Sequence, residues 1–239
     1  MQLKVLHKLN NPLVLPISYH HILQSIIYRT LEATPEYSDF LHNKGYATEN
    51  RNFKLFTFGA IKGKYRIERD KIIFEDEVGY EIRSIEPKML ILLKQQFEKN
   101  GITYMSQHYD NVVAVLGDEK CASSEIRIKM LSPICVYTTT EVGKTIFYNP
   151  EEVEFVQKVN ENFRNKYKAY TGIEPESNVE IQLERLHPKD KYVTKYKGFY
   201  IIAWKGHYVL KGESKYLDFL YQTGLGGKNS QGFGMFQII

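Results

Sequence analysis

Met1-Gln2-Leu3-Lys4-Val5-Leu6-His7-Lys8-Leu9 alternates polar and apolar side chains, and from Tyr19 onward the spacing changes. Tyr19, Ile22, Leu23, Ile26, Ile27 and Leu31 recur three and four residues apart. A period of two buries one face of a strand, whereas a period near 3.6 buries one stripe of a helix. The chain therefore opens strand, then helix, with an irregular connection over 12–16 and Ser18 as the expected N-cap. His21, Gln24, Ser25, Tyr28 and Glu32 fall on the opposite, polar stripe of that helix. A second helical piece is expected over 35–43, ending near Gly45.

The same alternation continues outward from this stretch. Strand patterns follow at 54–61, 65–68, 71–74 and 80–84, then a helix over 87–99 that stops at Asn100-Gly101. Strands at 102–108 and 112–115 close the first half, and Gly117-Asp118-Glu119-Lys120 reads as a boundary. The second half begins with strands at 125–136, interrupted by Pro133, and 144–148. Asn149-Pro150-Glu151-Glu152 opens a helix carrying Val153, Phe155, Val156, Val159, Phe163 and Tyr167. Strands at 179–186, 191–197 and 199–209, a helix at 214–221, a glycine-rich loop and a strand at 232–238 complete it. Each half runs strand, helix, strands, helix, strand, the element order of a split βαβ unit. The expected fold is α+β: two tandem ferredoxin-like (RRM-like) domains, 1–118 and 119–239, with a C-terminal glycine-rich loop.

At 239 residues, 43% hydrophobic and 25% charged, the chain can bury a core in each half and is neither collagen-like nor disordered. Cys121 and Cys135 match no zinc spacing. The N-terminus lacks the apolar block of a signal peptide, and no apolar run has the length of a membrane span. These features lead us to expect a cytoplasmic protein with no membrane partner. The formal charge of +4 decides little by itself. Its distribution is more informative: Lys191, Lys195, Lys197 and Lys205 are threaded with Tyr192, Tyr196, Phe199, Tyr200 and Trp204. Such interleaving suits a nucleic-acid backbone and its bases. It equally suits a hairpin with one solvated lysine face and one aromatic core face.

The strongest local pattern is Gly224-Leu225-Gly226-Gly227-Lys228-Asn229-Ser230-Gln231-Gly232-Phe233-Gly234, with five glycines in eleven residues. Glycines so placed let the backbone approach a ligand or another segment closely. The spacing is neither that of a Walker A loop nor that of a dinucleotide fingerprint, and Gly143-Lys144-Thr145 lacks its upstream glycine. Metal-ligand motifs are absent too, so neither a metal nor a cofactor is expected.

The Gly-Leu-Gly…Asn-Ser-x-Gly-Phe-Gly block between a helix and the last strand resembles the glycine-rich signature of the repeat-associated RNA-binding superfamily of CRISPR systems. Three other stretches extend the likeness: Leu15-Pro16-Ile17-Ser18-Tyr19-His20-His21-Ile22-Leu23-Gln24-Ser25-Ile26-Ile27-Tyr28, Phe40-Leu41-His42-Asn43-Lys44-Gly45-Tyr46, and Phe53-Lys54-Leu55-Phe56-Thr57-Phe58. Leu131-Ser132-Pro133-Ile134 adds a fourth. Together they span the chain and resemble the endoribonucleases that process CRISPR repeat RNA. The resemblance implies two ferredoxin-like domains and metal-independent cleavage by attack of a 2′-hydroxyl on the adjacent phosphate, leaving 5′-hydroxyl and 2′,3′-cyclic phosphate ends. It implies repeat RNA as the partner, CRISPR effector-complex subunits as further partners, and a monomer or homodimer. A subunit of the same superfamily that binds guide RNA without cutting it is the alternative.

Residue by residue, the resemblance implies a catalytic set of Tyr28, His42 and Lys54. Some members use a histidine on the first helix instead, which makes His21 the competitor. Histidine suits an acid/base role because its ordinary pKa of about 6.5 lies near working pH. RNA binding is expected of Lys191, Lys195, Lys197, Lys205, Gly224, Gly226, Gly227, Lys228, Asn229, Gly232 and Gly234. Without the resemblance, Tyr28 reads equally as a helix-edge anchor and His42 as a helix-end cation.

Overall fold

The computed structural model describes residues 1–32, 34–35, 37, 45–48, 51–196 and 198–239. Most of the helical piece expected over 35–43 lies outside them. The first half forms a four-stranded antiparallel sheet in the order Val112–Gly117, Gln2–Lys8, Glu77–Ser84, Phe56–Phe58. Helices α1 (His20–Leu31) and α2 (Pro87–Asn100) cover one face. Ile22, Leu23, Ile26 and Ile27 of α1 and Leu90, Leu93 and Phe97 of α2 meet Leu3, Val5, Ile82 and Ala114 in one core. The alternation of Gln2–Lys8 thus sends Leu3, Val5 and His7 inward and leaves Lys4, Leu6 and Lys8 on the open face.

The second half repeats this plan. Its sheet runs Glu180–Arg185, His207–Lys211, Glu125–Met130, Phe236–Ile238, again antiparallel throughout. Helices α3 (Val153–Thr171) and α4 (Ser214–Thr223) pack Phe155, Val159, Phe163, Leu217 and Leu220 against Ile126, Ile128, Tyr208 and Leu210. In both halves the last strand flanks the first, and a third strand lies between the first and second. That order is what a helical crossover between parallel strands leaves when one antiparallel strand is inserted between them. Both halves are ferredoxin-like.

Several sequence-based boundaries shift for identifiable reasons. The 125–136 strand stops at Met130 because the Leu131 and Ser132 amides turn to the Met235 carbonyl. The segment 102–108 folds back at Met105 (φ 56°) into two short paired strands, Ile102–Tyr104 and Gln107–Tyr109. The 199–209 run breaks at Gly206, giving Phe199–Trp204, which pairs with Lys191–Tyr196 as an inserted hairpin, and His207–Lys211 in the main sheet. The final strand is shortened to Phe236–Ile238. Ser18 does not cap α1: Tyr19 holds the N-cap position, and the Ser18 carbonyl accepts from His21 Nδ1 at 2.8 Å.

The halves are joined through buried polar contacts. Arg83, 2% exposed, donates from Nη1 to the Phe236 carbonyl at 2.6 Å, pairs through Nε with Glu81 at 2.5 Å, and stacks over the Tyr221 ring at 3.8 Å. Thr57 Oγ1 donates to the Phe233 carbonyl at 3.0 Å. Leu55, φ 37°, leaves its own half to join the second core.

The glycine-rich loop closes this seam. Gly224, Gly226, Gly232 and Gly234 are buried and all have positive φ. A Cβ on Gly232 would lie 2.6 Å from the Phe58 ring, and one on Gly234 would lie 2.0 Å from the Leu225 carbonyl oxygen. The close approach expected of these four glycines is therefore made to the protein's own chain.

Two substitutions test this architecture. Arg83→Met should lower unfolding free energy by about 3–5 kcal/mol in urea titration, the usual cost of breaking a buried pair and stranding its partner. Gly143 and Gly234 share nearly the same φ, 78° and 79°, but nothing lies within 4 Å of a Cβ on Gly143. Gly143→Ala should cost about 1–2 kcal/mol of backbone strain, and Gly234→Ala clearly more. Equal urea midpoints for the two variants would contradict the tight loop packing.

Candidate RNA-cleavage site

Two clefts flank the glycine loop. The first, about 700 Å³, is lined by His21, Gln24, Ser25, Tyr28, Arg29 and Glu32 of α1 and by Lys195 and Tyr196 of the inserted hairpin. These α1 residues lie on the face opposite the Ile22–Leu31 stripe, so burying the apolar stripe presents the polar one to the hairpin. Tyr196 Oη donates to Gln24 Oε1 at 2.9 Å, fastening the hairpin to the helix. His21 is exposed; with Nδ1 donating to the Ser18 carbonyl, Nε2 is its proton-accepting nitrogen.

The second cleft, about 430 Å³, is lined by Lys54, Lys166 and Lys228, by Asn162, Asn229, Ser230 and Gln231, and by no acidic side chain among the described residues. Lys54 Nζ is buried without a hydrogen-bond partner among the described residues, and burial lowers its pKa. Lys166, on α3, is 2% exposed, and burial pushes its pKa down to about 7. Its Nζ donates to the Gly224 carbonyl at 2.5 Å and to Asn229 Oδ1 at 3.2 Å. Lys228, at φ 59°, reaches over the Tyr137 ring at 4.8 Å. Lys54 and Lys228 thus line a cleft with no carboxylate among the described residues, an arrangement suited to a phosphate, while the Lys166 amine is enclosed and engaged by the glycine loop.

Tyr28 stands where the clefts meet. Burial raises its pKa, and hydrogen bonds from Ser230 and Gln24 oppose the rise by favouring the ionised form. Ser230 belongs to the second cleft and Gln24 to the first, so the phenol links the loop to α1, and Gln24 in turn holds the hairpin through Tyr196. The phenol is neutral at ordinary pH and acts as a hydrogen-bond donor.

The expected site residues thus fall into groups. Tyr28, His21 and Lys195 share the first cleft, while Lys54, Gly227, Lys228 and Asn229 share the second. His42 and Lys197 lie outside the described residues. Lys191 and Lys205 are exposed at the base of the hairpin and line neither cleft. The hairpin combines both readings of its sequence: Tyr192 faces His20 and Phe233, whereas Lys195, Phe199 and Tyr200 are exposed, with Lys195 5.8 Å from the Tyr200 ring. His20 is enclosed by the rings of Tyr19, Phe58, Tyr192 and Phe233, and burial lowers its pKa to about 4.

Lys166, Gln24 and Ser230 were not singled out as site residues from the sequence. Lys166 carried a usable signal: it continues the Phe155, Val159, Phe163 stripe by three residues, where a lysine must be buried or the helix must turn away. Among the described residues no group of three or more His, Cys, Asp or Glu could hold a metal, and no helix is long and apolar enough to cross a membrane.

Comparison with known proteins agrees with this architecture. The chain is 25% identical over 249 residues to CRISPR-associated endoribonuclease Cas6 1 of Methanocaldococcus jannaschii, covering 98% of this chain and 91% of that one. It is 26% identical over 231 residues to CRISPR-associated endoribonuclease Cas6 of Pyrococcus furiosus, covering 93% and 83%. Among solved structures, one described as an RAMP protein binding different RNA substrates superposes with a TM-score of 0.82 at 22% identity, over 100% of this chain and 99% of that one. A Cas6-related protein from Pyrococcus furiosus gives 0.81 at 23% identity, over 100% and 98%. The family profile described as CRISPR associated protein Cas6, C-terminal, matches residues 117–238, just over half of the chain. By that match the chain belongs to the CRISPR-associated Cas6 family.

Proposed function

We propose that this protein is an endoribonuclease that cleaves CRISPR precursor RNA within its repeats, by attack of a ribose 2′-hydroxyl on the adjacent phosphate. The observation that carries the reading is the Tyr28 hydroxyl, held at the junction of the polar α1 cleft and the three-lysine cleft. Attack at phosphorus needs a base near the 2′-hydroxyl, a proton donor for the departing 5′-oxygen, and positive charge around the phosphorane-like transition state. In this scheme Lys54 supplies charge, since a buried ammonium without a partner among the described residues gains most from an arriving phosphate. Tyr28 donates to a phosphate oxygen and orients it. His42 carries the proton, as the family resemblance implies, with His21 as the competing acid/base in the Tyr28 cleft. The products are a 5′-hydroxyl and a 2′,3′-cyclic phosphate.

Residues 1–118 supply the reacting groups in this reading, and 119–239 supply the hairpin and glycine loop that hold the repeat. Gly227, Lys228 and Asn229, each partly exposed, face the RNA in this reading, and the buried glycines shape the loop behind them. The same reading makes the protein cytoplasmic, active as a monomer or homodimer, and able to pass its product to effector-complex subunits.

Cleavage assayed in chelator tests the whole scheme. Product ending in a cyclic phosphate is expected, and a 2′-deoxy nucleotide at the cut site should abolish it. Tight binding without cleavage would identify a guide-RNA carrier instead. His42→Ala should slow single-turnover cleavage roughly 10²–10⁴-fold with little change in affinity. Tyr28→Phe and Lys54→Ala should slow it less. If His21→Ala is the more damaging histidine variant, the proton carrier lies on α1. Replacing Lys195 and Lys197 together with Ala should lower affinity and flatten its salt dependence, by about 0.7 in log–log slope per lost phosphate contact. An unchanged slope would reduce that face of the hairpin to solvated lysines.

A further inference from the structure

Lys166 occupies a position that an apolar residue would fill at less cost. It extends the core-facing stripe of α3, it is 2% exposed, and its acceptors, the Gly224 carbonyl and Asn229 Oδ1, are uncharged. Burying an ammonium without a carboxylate costs several kcal/mol. Capping α4 does not require it, because the Gly224 amide already closes that helix on the Leu220 carbonyl at 2.8 Å. What the ammonium adds is control of Asn229.

With Oδ1 taken by Lys166, the Asn229 side chain must direct Nδ2 to the carbonyls of Leu225 and Phe233, at 3.0 and 3.1 Å. The amide thereby clasps the incoming and outgoing arms of the glycine loop. It has little slack, since a Cβ on Gly224 or Gly234 would come within 2.7 or 2.6 Å of Nδ2. Asn229–Gln231 is a single 3₁₀ turn, tied by the Gln231 amide to the Lys228 carbonyl and by the Gly232 amide to the Asn229 carbonyl, both at 2.9 Å. Displacing Asn229 must therefore displace Ser230, in the turn that packs against α1 beside the Tyr28 phenol.

We propose that Lys166 is a positioning residue for RNA cleavage, setting the Tyr28 hydroxyl from the other half of the protein through Asn229 and Ser230. The inference rests on the reading that places Tyr28 in the cleavage centre. Lys166 acts on the orientation of that hydroxyl and not on RNA capture.

A double-mutant cycle separates positioning from general support of the fold. Single-turnover cleavage of repeat RNA and RNA affinity are measured for wild type, Lys166→Met, Tyr28→Phe and the double variant, well below each melting temperature. Lys166→Met should lose at least about tenfold in rate while its affinity stays within about twofold of wild type. In the Tyr28→Phe background the same change should cost less than about twofold, because the hydroxyl it positions is gone. An equal loss in both backgrounds, or a Lys166→Met rate equal to wild type, overturns the proposal. A Tyr28→Phe enzyme cutting at the wild-type rate would instead overturn the placement of Tyr28, and the proposal with it. Should Lys166→Met not fold, Ser230→Ala, at the partly exposed end of the same path, replaces it in the cycle with the same expected non-additivity.

Discussion

The Arg83 guanidinium fixes the relation of the two halves on which the candidate site depends. It is a buried cation whose carboxylate partner, Glu81, lies on its own strand, while its other contacts, the Phe236 carbonyl and the Tyr221 ring, come from the second half. A hydrophobic interface alone would allow the two sheets to slide, because apolar contact is non-directional. A planar donor bound at two edges and stacked on a ring does not slide. Tyr28 and Lys54 come from the first half, and Ser230, Lys166 and Lys228 from the second. Their convergence is only as good as this pin.

Much of the fold was legible in the sequence because its signals are periodic. The switch from alternation over residues 1–9 to helical spacing over 19–31 places the first strand and helix almost to the residue. The same holds for Tyr65–Glu68, Lys71–Phe74 and α3. Where the reading erred, tertiary hydrogen bonds overrode local pattern. The strand over 125–136 is apolar enough to continue past Met130, but the next amides are claimed by Met235. Ser18 has the chemistry of a cap, yet its carbonyl serves the His21 ring instead.

The site was legible in part, for a related reason. Tyr28 and His21 share a polar helical stripe, and helical geometry alone puts them on one face. Lys54 and Lys228 lie in segments that the family resemblance marks. Lys166 belongs to neither pattern: its place in an aromatic and aliphatic stripe signals burial, but its importance arises from a carbonyl and an amide about sixty residues away. The glycines show the converse. Their spacing signals close backbone approach, but not what is approached. For four of them the answer is Phe58, Cys135, Leu225 and the Asn229 amide, groups that lie within 3 Å of their missing Cβ atoms.

The long-range character of the seam bears on the order in which the protein assembles. Arg83 meets its second-half acceptors 138 and 153 residues later, and Thr57 meets the Phe233 carbonyl 176 residues later. Contacts so distant in the chain carry the largest loop-closure entropy and form after the local helix–sheet packing within each half. Each half has its own core, so the seam is the part of the structure that packing within a half does not supply. The glycine loop is threaded between Phe58 of the first half and Cys135 of the second, so one side of its packing belongs to that seam. The candidate site draws Tyr28 and Lys54 from one half and Lys166, Lys228 and Ser230 from the other, so neither half holds it alone and any opening of the seam dissolves it as a whole.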